Sequence, residues 1–476
     1  MKKFYITTPI YYVNGSPHIG HAYTTVAADV LARYQKSLGR EVFFSVGTDE
    51  HGLKIQQKAE QAGKKPQEFT DEIAGQFKDL WQKLNIDYSA FSRTTNPKHK
   101  QAVQNVLQRL YDQGAIYKGT YEGLYCVGCE QFLNEKDLVA GKCPDHGQEP
   151  EAVKEEAYLL KLKDVADKLI KKIESQEFHI TPQRYANEIL SLLKGEGLRD
   201  VSISRKNVSW GIPLPFDSSH TTYVWVDAFL NYLTVLDWDL LAGSGRMQNF
   251  WPPDIQLIGK DILRVHATIW PAILLHLNLP LPKKLVVHGH ILSGNRKMSK
   301  TLGNVISVED LMAKFGAEAT RYLLLSAGTF GEDINVTTER LTEKYNADLA
   351  NGLGNLVARV IKLNENIKAR PNKNNSDCIS CPTKEKLFAD FQLNEVLAKI
   401  WGRIEKANLA VEQKKLWELI KQDENKATDI LTELLMAIWQ IAQLLSPFMP
   451  KTSEKIKEIL KNNKSQILFP RVEKPN

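Results

Sequence analysis

The first 117 residues alternate between apolar runs typical of strands and apolar positions at helical spacing. "FYITTPI" is a short β-branched and aromatic run, which predicts a buried strand near the start of the chain. "EVFFSVGTDEHG" predicts a second strand that ends in an acidic, glycine-containing turn. Between these strands the apolar positions recur as on one helix face: Ala22, Val26, Val30 and Tyr34. Helical periodicity continues over residues 52–63, 66–84 and 97–113.

The same alternation returns later in the chain, after a different middle region. Residues 118–220 combine short aromatic strands with charged helices, which indicates an insertion. Three later runs each predict a strand, and the first two lead directly into a helix pattern: "TTYVWVDAFLNYL", "IQLIGKDILRVHATIWPAILL" and "KLVVHGHIL". Two βα halves around an insertion predict an α/β fold with one doubly wound (Rossmann-type) parallel sheet.

The remainder of the chain is predicted to be helical. After "GNRKMSKTLGNVIS" no convincing strand pattern follows, and apolar residues recur at helical spacing, as in "ILTELLMAIWQIAQLLSPFM". An α-helical bundle is the natural interpretation. The predicted segments are a first sheet half (1–117), the insertion (118–220), the second sheet half (221–290), a linking region with a lysine-rich loop (291–336) and the bundle (337–476).

Composition places the chain among globular proteins and suggests its surroundings. No run of about eighteen apolar residues occurs, so no membrane span is expected. The first residues lack a signal core, and a cytoplasmic location is expected. Of the net charge of +6, residues from 341 onward hold 22 Lys and Arg against 17 Asp and Glu, a difference of +5. That excess fits either a docked polyanion or a solvated helical surface.

Three cysteines and a histidine have the spacing of a zinc site. Cys126 and Cys129 enclose two residues, and Cys143 and His146 enclose another two. Such pairs predict one tetrahedral, structural Zn²⁺, because four protein ligands leave no open position. Cys378 and Cys381 form a further pair with no second pair nearby, and we interpret them as incidental.

Two histidines lie where the first strand gives way to the first helix. His18 and His21 enclose Gly20 at the predicted start of that helix. A helix N-terminus favours anions, so the histidines fit a phosphate site, although structural hydrogen bonding explains them equally well on local grounds. Lys297-Met-Ser-Lys300-Thr301 follows the last predicted strand of the sheet in a glycine-flanked loop.

The order of these motifs resembles the class I aminoacyl-tRNA synthetases, whose HIGH and KMSKS signatures occupy these places. Within that class the chain resembles the methionyl-tRNA synthetases, over essentially its whole length. The matching stretches are "TTPIYYVNGSPHIGHAYTTVAAD", "GTDEHG", the single zinc knuckle, "SWGIPLP", "YVWVDA", "IGKDI" and "HGHILSGNRKMSKTLGN". The resemblance implies a ligase that activates L-methionine with ATP and Mg²⁺ to methionyl-adenylate, then transfers methionine to the 3′ end of tRNA(Met).

The resemblance also implies roles for individual residues. Catalysis falls to His18, His21, Lys297 and Lys300. These four, with Gly20, Gly259, Asp261 and Ser299, bind ATP. Methionine is held by Ile10, Tyr12, Asp49, Trp225, Ala228, Tyr232, Ile262 and His266, with Tyr12 and His266 donating weakly to its sulfur. The bundle reads the CAU anticodon through Asn355, Arg359 and Trp417, and residues 291–336 hold the KMSKS loop and a stem-contact region.

Three residues depart from the family pattern, and three other functions compete. Thr301 replaces a serine, while Phe229 and Leu416 stand where many members have proline. The alternatives are another class I synthetase, a different adenylate-forming ligase on this fold, and a non-catalytic tRNA-binding module. Many family members carry a C-terminal dimerising barrel, and here "KNNKSQILFPRVEKPN" follows the bundle, so a monomer is expected.

Overall fold

The structure is a computed structural model of the chain in which the contacts define two compact units. It describes residues 1–126, 131–133, 135, 138–144, 147–195, 198–206, 208–238, 240, 245–294, 296–297, 306–371 and 382–473. Unit 1 comprises residues 1–16, 39–80 and 88–287. Unit 2 comprises residues 17–38, 81–87 and 288–476. The five-segment division made from the sequence stays a prediction.

Seventeen strands are present among the described residues. They are β1 (Lys3–Thr7), β2 (Tyr11–Tyr12), β3 (Glu41–Asp49), β4 (Ala90–Arg93), β5 (Ile116–Cys126), β6 (Gln131–Leu133), β7 (Glu151–Leu160), β8 (His179–Thr181), β9 (Val201–Ser202), β10 (Ser204–Arg205), β11 (Pro213–Leu214), β12 (Asp217–Thr222), β13 (Ile255–Gly259), β14 (Lys284–His288), β15 (Ile291–Ser293), β16 (Arg296–Lys297) and β17 (Ile334–Val336).

The α-helices of the described residues number nineteen. They are α1 (Ile19–Ser37), α2 (Leu53–Gln61), α3 (Pro66–Lys83), α4 (Pro97–Asp112), α5 (Lys163–Glu174), α6 (Gln183–Lys194), α7 (Val224–Thr234), α8 (Gly245–Phe250), α9 (Leu263–Ala267), α10 (Ile269–His276), α11 (Val308–Phe315), α12 (Ala317–Ser326), α13 (Thr338–Lys344), α14 (Asn355–Ile367), α15 (Pro382–Ala389), α16 (Leu393–Gln413), α17 (Leu416–Gln422), α18 (Glu424–Leu445) and α19 (Pro450–Asn462). A 3₁₀ turn covers Lys260–Ile262, and a π-helix covers Tyr345–Gly354.

The main sheet confirms the predicted parallel architecture. Its strands run in the order β2-β3-β1-β13-β14-β8, and β4 pairs with β3. The pairs β1–β13, β1–β3, β2–β3, β3–β4 and β14–β8 are all parallel; for example, Ile6 lies opposite Ile255 on one side and Phe44 on the other. Continuous apolar runs such as "VFFSV" form these strands because both faces of a parallel sheet are buried.

Two strand predictions in the second half are corrected. "TTYVWV" was expected to be a strand of the parallel sheet, but β12 ends at Thr222 and pairs antiparallel with β10 and β11, and α7 already begins at Val224. This helix is buried almost all round, so its apolar run shows no single-faced periodicity. β17 was not expected at all, and pairs parallel with β15.

Residues 118–220 do not form a wholly separate insertion. They contain most of an antiparallel sheet ordered β6-β5-β7-β9, in which ten residues of β5 pair with β7. They also supply β8, which pairs parallel with β14 at the edge of the main sheet, with Ile180 opposite Leu285. A three-residue strand carries too weak a pattern to be recognised from sequence.

Unit 2 is predominantly helical after residue 306, as predicted. Within it, α18 has the length and composition of a helix that could cross a membrane. However, 56% of its most apolar 18-residue stretch is buried inside the protein. Its buried face, which includes Leu431, Leu435 and Ile438, has the spacing of a core helix in a bundle. The described part of the chain holds no other helix of that kind.

A fully buried ion pair lies in the core of unit 2. The Arg321 guanidinium donates to Asp29 Oδ2 at 2.6 Å, and both side chains have no exposed surface. Its remaining N–H groups reach the carbonyls of Phe448, Leu84 and Pro447 at 2.8–3.1 Å. Asp29 belongs to α1, so this single arginine connects the first helix of the chain to the segment between α18 and α19.

The π-helix directly precedes α14 in the same unit. A π-helix has looser turns than an α-helix, and such turns are frequent at functional sites. Other side chains hydrogen-bond to its carbonyls: Trp401 donates to Asp348 at 3.3 Å and Asn408 to Gly352 at 3.3 Å. These contacts hold the segment that leads into Asn355, the first residue of α14.

Candidate active site

The histidine pair lies at the N-terminus of α1, as the sequence predicted. His18 is the N-cap residue, and its Nδ1 accepts from the Gly20 backbone N–H at 3.2 Å. The His18 backbone N–H in turn donates to His21 Nδ1 at 3.2 Å. The two rings stack with their centroids 3.7 Å apart. Imidazoles therefore perform the reciprocal capping that hydroxyl and carboxylate side chains usually provide.

These bonds determine what the two rings can offer to a ligand. A neutral imidazole has one donor and one acceptor nitrogen, so an Nδ1 that accepts leaves the proton on Nε2. Burial holds the pKa of His21 well below its ordinary value, and the proximity of His18 lowers it further, so this ring is neutral. Each histidine therefore carries an Nε2–H donor at a helix N-terminus, an arrangement suited to phosphate oxygens.

The lysine-rich motif is only partly within the described residues. Arg296 and Lys297 form β16, where Lys297 pairs with Leu292 of β15. Ser299 and Lys300 lie outside the described residues, so their predicted roles rest on sequence alone. Gly259 ends β13, and Asp261 lies exposed in the 3₁₀ turn that follows, at the carboxyl end of a parallel strand in unit 1. Ligands of open α/β sheets bind at such strand ends.

Tyr12 and Asp49, both predicted to bind methionine, are brought side by side. They are register partners in the parallel pair of β2 and β3, and the Val13 N–H donates to the Asp49 carbonyl at 3.1 Å. The Asp49 side chain is buried, and Tyr12 is partly buried against the core of unit 1. A carboxylate and an aromatic ring thus adjoin at the end of the sheet, as recognition of an amino acid requires.

Ile10 is placed by an unusually close approach of two strands. A Cβ on Gly47 would lie 2.4 Å from the Ser92 carbonyl oxygen and 2.8 Å from Ile10 Cγ2. Only glycine fits this position, because real Cβ atoms do not approach other atoms so closely. The absent side chain lets Ile10 pack directly on the backbone of β3.

Helix α7 presents three of the predicted methionine-binding residues on one face. Trp225, Ala228 and Tyr232 are spaced at i, i+3 and i+7. The Trp225 ring lies 6.5 Å from that of His266, nearly perpendicular to it. Ile262, in the 3₁₀ turn before α9, is partly buried and packs on the same core. Three of the predicted pocket residues, Trp225, Tyr232 and His266, therefore form an aromatic cluster in unit 1.

Phe229, which departs from the family pattern, is part of the core. It is 1% exposed and stacks on Trp270, with ring centroids 5.7 Å apart. Its ring is perpendicular to that of His266, with the two centroids 4.9 Å apart. Phe229 therefore packs against the His266 ring inside the core.

The hydrogen bonds of His266 contradict its predicted role as a donor to the methionine sulfur. Its Nδ1–H donates to the Ile262 carbonyl at 2.9 Å, and its Nε2 lies 3.0 Å from the Tyr232 hydroxyl. Burial lowers the pKa of His266 to about 4, so the ring is neutral and Nε2 must accept from Tyr232. No donor nitrogen is left for a thioether sulfur. The ring instead orients Tyr232, one of the residues predicted to line the pocket.

Two of the four predicted zinc ligands are described. Cys126 ends β5 and Cys143 follows β6, and both are buried, at 2% and 1% exposure. The backbone turns back after Cys143, whose carbonyl accepts from the Gly147 N–H at 2.8 Å. Cys129 and His146 lie outside the described residues, and no group of three or more metal-ligating side chains occurs within them. The zinc site stays a prediction, for which Cys126 and Cys143 provide two buried thiols.

The predicted anticodon residues occupy the helical part of unit 2. Asn355 is exposed, and Arg359 donates to Glu412 near the end of α16 at 2.7 Å. Trp417 is 40% exposed on α17, whereas its neighbour Leu416 is fully buried. Leu416 is therefore the core residue of this pair, and Trp417 is available at the surface.

Sequence reasoning overlooked two buried acids beside Asp49. Glu50 accepts two hydrogen bonds from Arg93, at 2.6 and 2.9 Å, and others from Thr48 and Thr95. Asp227 accepts from His51 at 2.6 Å and from His99 at 2.7 Å. Acidic and histidine residues crowded into "GTDEHG" were the available signal, but their partners are distant in sequence.

The chain combines a parallel α/β sheet with a histidine-capped helix, and its sequence places it among the class I synthetases. The sequence model of the family "tRNA synthetases class I (M)" matches residues 4–152 and 146–361. The chain belongs to this family.

Similar proteins of known function share one name, methionine–tRNA ligase. The methionine–tRNA ligase of Clostridium acetobutylicum is 42% identical over 99% of this chain and 78% of its own length. That of Clostridium perfringens is 44% identical over 96% of this chain and 73% of its own length. The crystal structure of Mycobacterium tuberculosis methionyl-tRNA synthetase bound by methionyl-adenylate is 32% identical, covers 100% and 99% of the two chains, and has a TM-score of 0.90. The free-state structure of the same enzyme has a TM-score of 0.84.

Proposed function

We propose that this chain is a methionine–tRNA ligase. The observation that carries the proposal is similarity, at 42% identity, to a protein of that name over 99% of this chain and 78% of that protein's length. In the first step a carboxylate oxygen of methionine bonds to the α-phosphorus of ATP, and the bond to pyrophosphate breaks. In the second step the 3′-terminal hydroxyl of tRNA(Met) attacks the carbonyl carbon, and AMP leaves.

The histidine donors of α1 are suited to the first step. Negative charge builds on phosphate oxygens as pyrophosphate leaves, and donors already fixed in position stabilise it without reorganisation. His18 and His21 fulfil this condition, because backbone N–H groups hold both Nδ1 atoms. We assign Lys297, Ser299 and Lys300 to the departing phosphates, and Gly20, Gly259 and Asp261 to other contacts with ATP. Mg²⁺ enters with ATP, whose oxygens are the ligands it prefers.

The aromatic cluster of unit 1 is suited to the methionine side chain. A flexible, polarizable thioether packs well against aromatic rings, which Tyr12, Trp225 and Tyr232 provide. Asp49 carries the charge that an α-ammonium group requires. Ile10, Ala228 and Ile262 complete the apolar contacts, and His266 fixes the Tyr232 hydroxyl.

One assay distinguishes this function from its rivals. Exchange of radioactive pyrophosphate into ATP should require methionine, and the other amino acids should give background. Charging should then be seen with tRNA bearing a CAU anticodon. Exchange with another amino acid would indicate a different synthetase, and exchange without charging a different adenylate-forming ligase. Binding of tRNA without exchange would indicate a non-catalytic module.

We infer that Cys126, Cys129, Cys143 and His146 hold one structural Zn²⁺. Purified protein should contain about one zinc per chain, and Cys126→Ser should lower that content and expose residues 118–220 to proteolysis, because ligand binding and local folding are coupled. Metal analysis and limited proteolysis measure the two effects. Cys378→Ser is the matched control, because we interpret that cysteine as incidental. Metal-free wild-type protein with full activity would contradict the site.

We propose that the exposed Trp417 stacks on an anticodon base, with Asn355 and Arg359 beside it as hydrogen-bonding groups. Trp417→Ala should weaken tRNA binding by about tenfold to a hundredfold, since stacking contributes roughly 1–3 kcal/mol per base. Pyrophosphate exchange without tRNA should stay unchanged. Leu416→Ala is the control, because that buried neighbour should lower the melting temperature instead. If Trp417→Ala aminoacylates tRNA(Met) at the normal rate, Trp417 does not stack on the anticodon.

A cytoplasmic location is proposed because tRNA is charged for protein synthesis there. The monomeric state stays a prediction. Light scattering at micromolar concentration should give the chain mass of 54.0 kDa, and twice that mass would show a dimer.

A further inference from the structure

A buried cluster of two histidines and one aspartate lies in unit 1, outside the residues assigned above. Asp227 accepts from His51 Nδ1 at 2.6 Å through one oxygen and from His99 Nε2 at 2.7 Å through the other. All three side chains are at most 3% exposed. Burial alone would raise the pKa of Asp227, but the charges and hydrogen bonds of His51 and His99 outweigh it and lower the pKa to about 2.

The cluster connects three separate elements. His51 follows β3 and lies two residues after Asp49, His99 belongs to α4, and Asp227 lies in the first turn of α7. His99 also reaches the last residue of α7, because its Nδ1 lies 2.7 Å from the Thr234 hydroxyl. A single imidazole therefore contacts α7 near both of its ends.

These contacts fall on the face of α7 opposite to the proposed methionine pocket. At about 100° per residue, Asp227 and Thr234 share one side of the helix, whereas Trp225, Ala228 and Tyr232 share the other. A rotation of α7 about its axis would displace the pocket residues, and the two contacts to His99 oppose that rotation. The contact from His51 sets the distance between α7 and the turn that carries Asp49.

Stability alone does not account for such a cluster. Buried ionic groups can often be replaced by well-packed apolar side chains without loss of stability, whereas directed hydrogen bonds specify one arrangement. We propose that His51, Asp227 and His99 are positioning residues that hold the two walls of the methionine pocket in register, an inference that rests on the proposed function. They act through Asp49 and α7 and do not touch the substrate.

The test compares the KM for methionine with the KM for ATP in the pyrophosphate exchange assay. Active-site titration first establishes the concentration of active enzyme for each variant. Asp227→Asn and His51→Ala should raise the KM for methionine by about tenfold to a hundredfold, because displacement by about 1 Å is that costly, while the KM for ATP stays within about twofold. His51→Asn should restore the methionine KM, because its amide nitrogen takes the place of Nδ1. His99→Gln should likewise rescue the loss in His99→Ala, since its amide nitrogen takes the place of Nε2.

A matched core variant separates positioning from general stability. Leu169→Ala removes a fully buried side chain from α5, which holds none of the proposed pocket residues, and should lower the melting temperature without changing the methionine KM. The inference is overturned if the cluster variants behave like Leu169→Ala, or if both KM values rise together. Failure of His51→Asn to rescue would also overturn it, because the ring itself would then be required. Absence of methionine-dependent exchange in the wild type would instead remove the proposed function.

Discussion

His18→Asn should lower the rate of methionine-dependent pyrophosphate exchange by about 10²- to 10³-fold while the protein keeps its melting temperature, because one fixed donor to developing charge is worth that much. The substitution separates the two roles of the side chain. Asparagine is among the best N-cap residues, and its Oδ1 accepts from the Gly20 N–H as His18 Nδ1 does. It has no group at the position of Nε2, so only the Nε2–H donor that we propose contacts phosphate is lost.

His18→Ala provides the comparison for this result. It removes the cap as well as the donor, so it should lose activity to a similar degree and also destabilise the protein by about 1 kcal/mol. The measurements are exchange kinetics and thermal unfolding of both variants. Normal exchange by His18→Asn would show that the histidine serves only to begin α1.

Arg321→Met should destabilise unit 2 by about 3 kcal/mol, since breaking a buried ion pair is costly and leaves Asp29 paired only with the partly exposed Arg33 among the contacts described. Asp29 would remain without exposed surface, and the carbonyls of Leu84, Pro447 and Phe448 would lose their donor. Unfolding in guanidinium chloride, followed by circular dichroism, measures the change. Methionine is close to arginine in length, so the lost contacts are mainly polar.

Arg33→Met is the matched control for that prediction. Arg33 also pairs with Asp29, at 2.8 Å, but its side chain is 19% exposed, so water can compensate for its loss. The expected cost is about 1 kcal/mol. If the two variants lower the free energy of unfolding equally, the burial of Arg321 does not increase its contribution to stability.

Local patterns predicted the elements that begin and end within a short stretch of sequence. β3 and the helices after it follow from apolar periodicity, and His18 was placed at a helix start because turn residues precede it. β12 and α7 were misjudged, because a helix buried on every side has no polar face to reveal its period. β8 and β17 have only three residues each and depend on partners elsewhere in the chain.

The composition of the candidate site was easier to predict than its hydrogen bonding. Family resemblance identified Asp49, Trp225 and Tyr232, and the structure gathers them in one unit. The partners of Asp227 lie 176 and 128 residues away, so no local pattern could pair them. The acceptor role of His266 Nε2 likewise depends on a contact with Tyr232, 34 residues distant.

The close approach at Gly47 limits how this protein could be redesigned for unnatural amino acids. The space that a side chain on Gly47 would need is already filled by the Ser92 carbonyl and by the Ile10 side chain, so Gly47 cannot be replaced without displacing one of them. Even alanine there would push Ile10 out of place. Libraries for bulkier substrates should therefore keep Gly47 and vary Trp225 and Ala228, whose side chains we propose contact methionine.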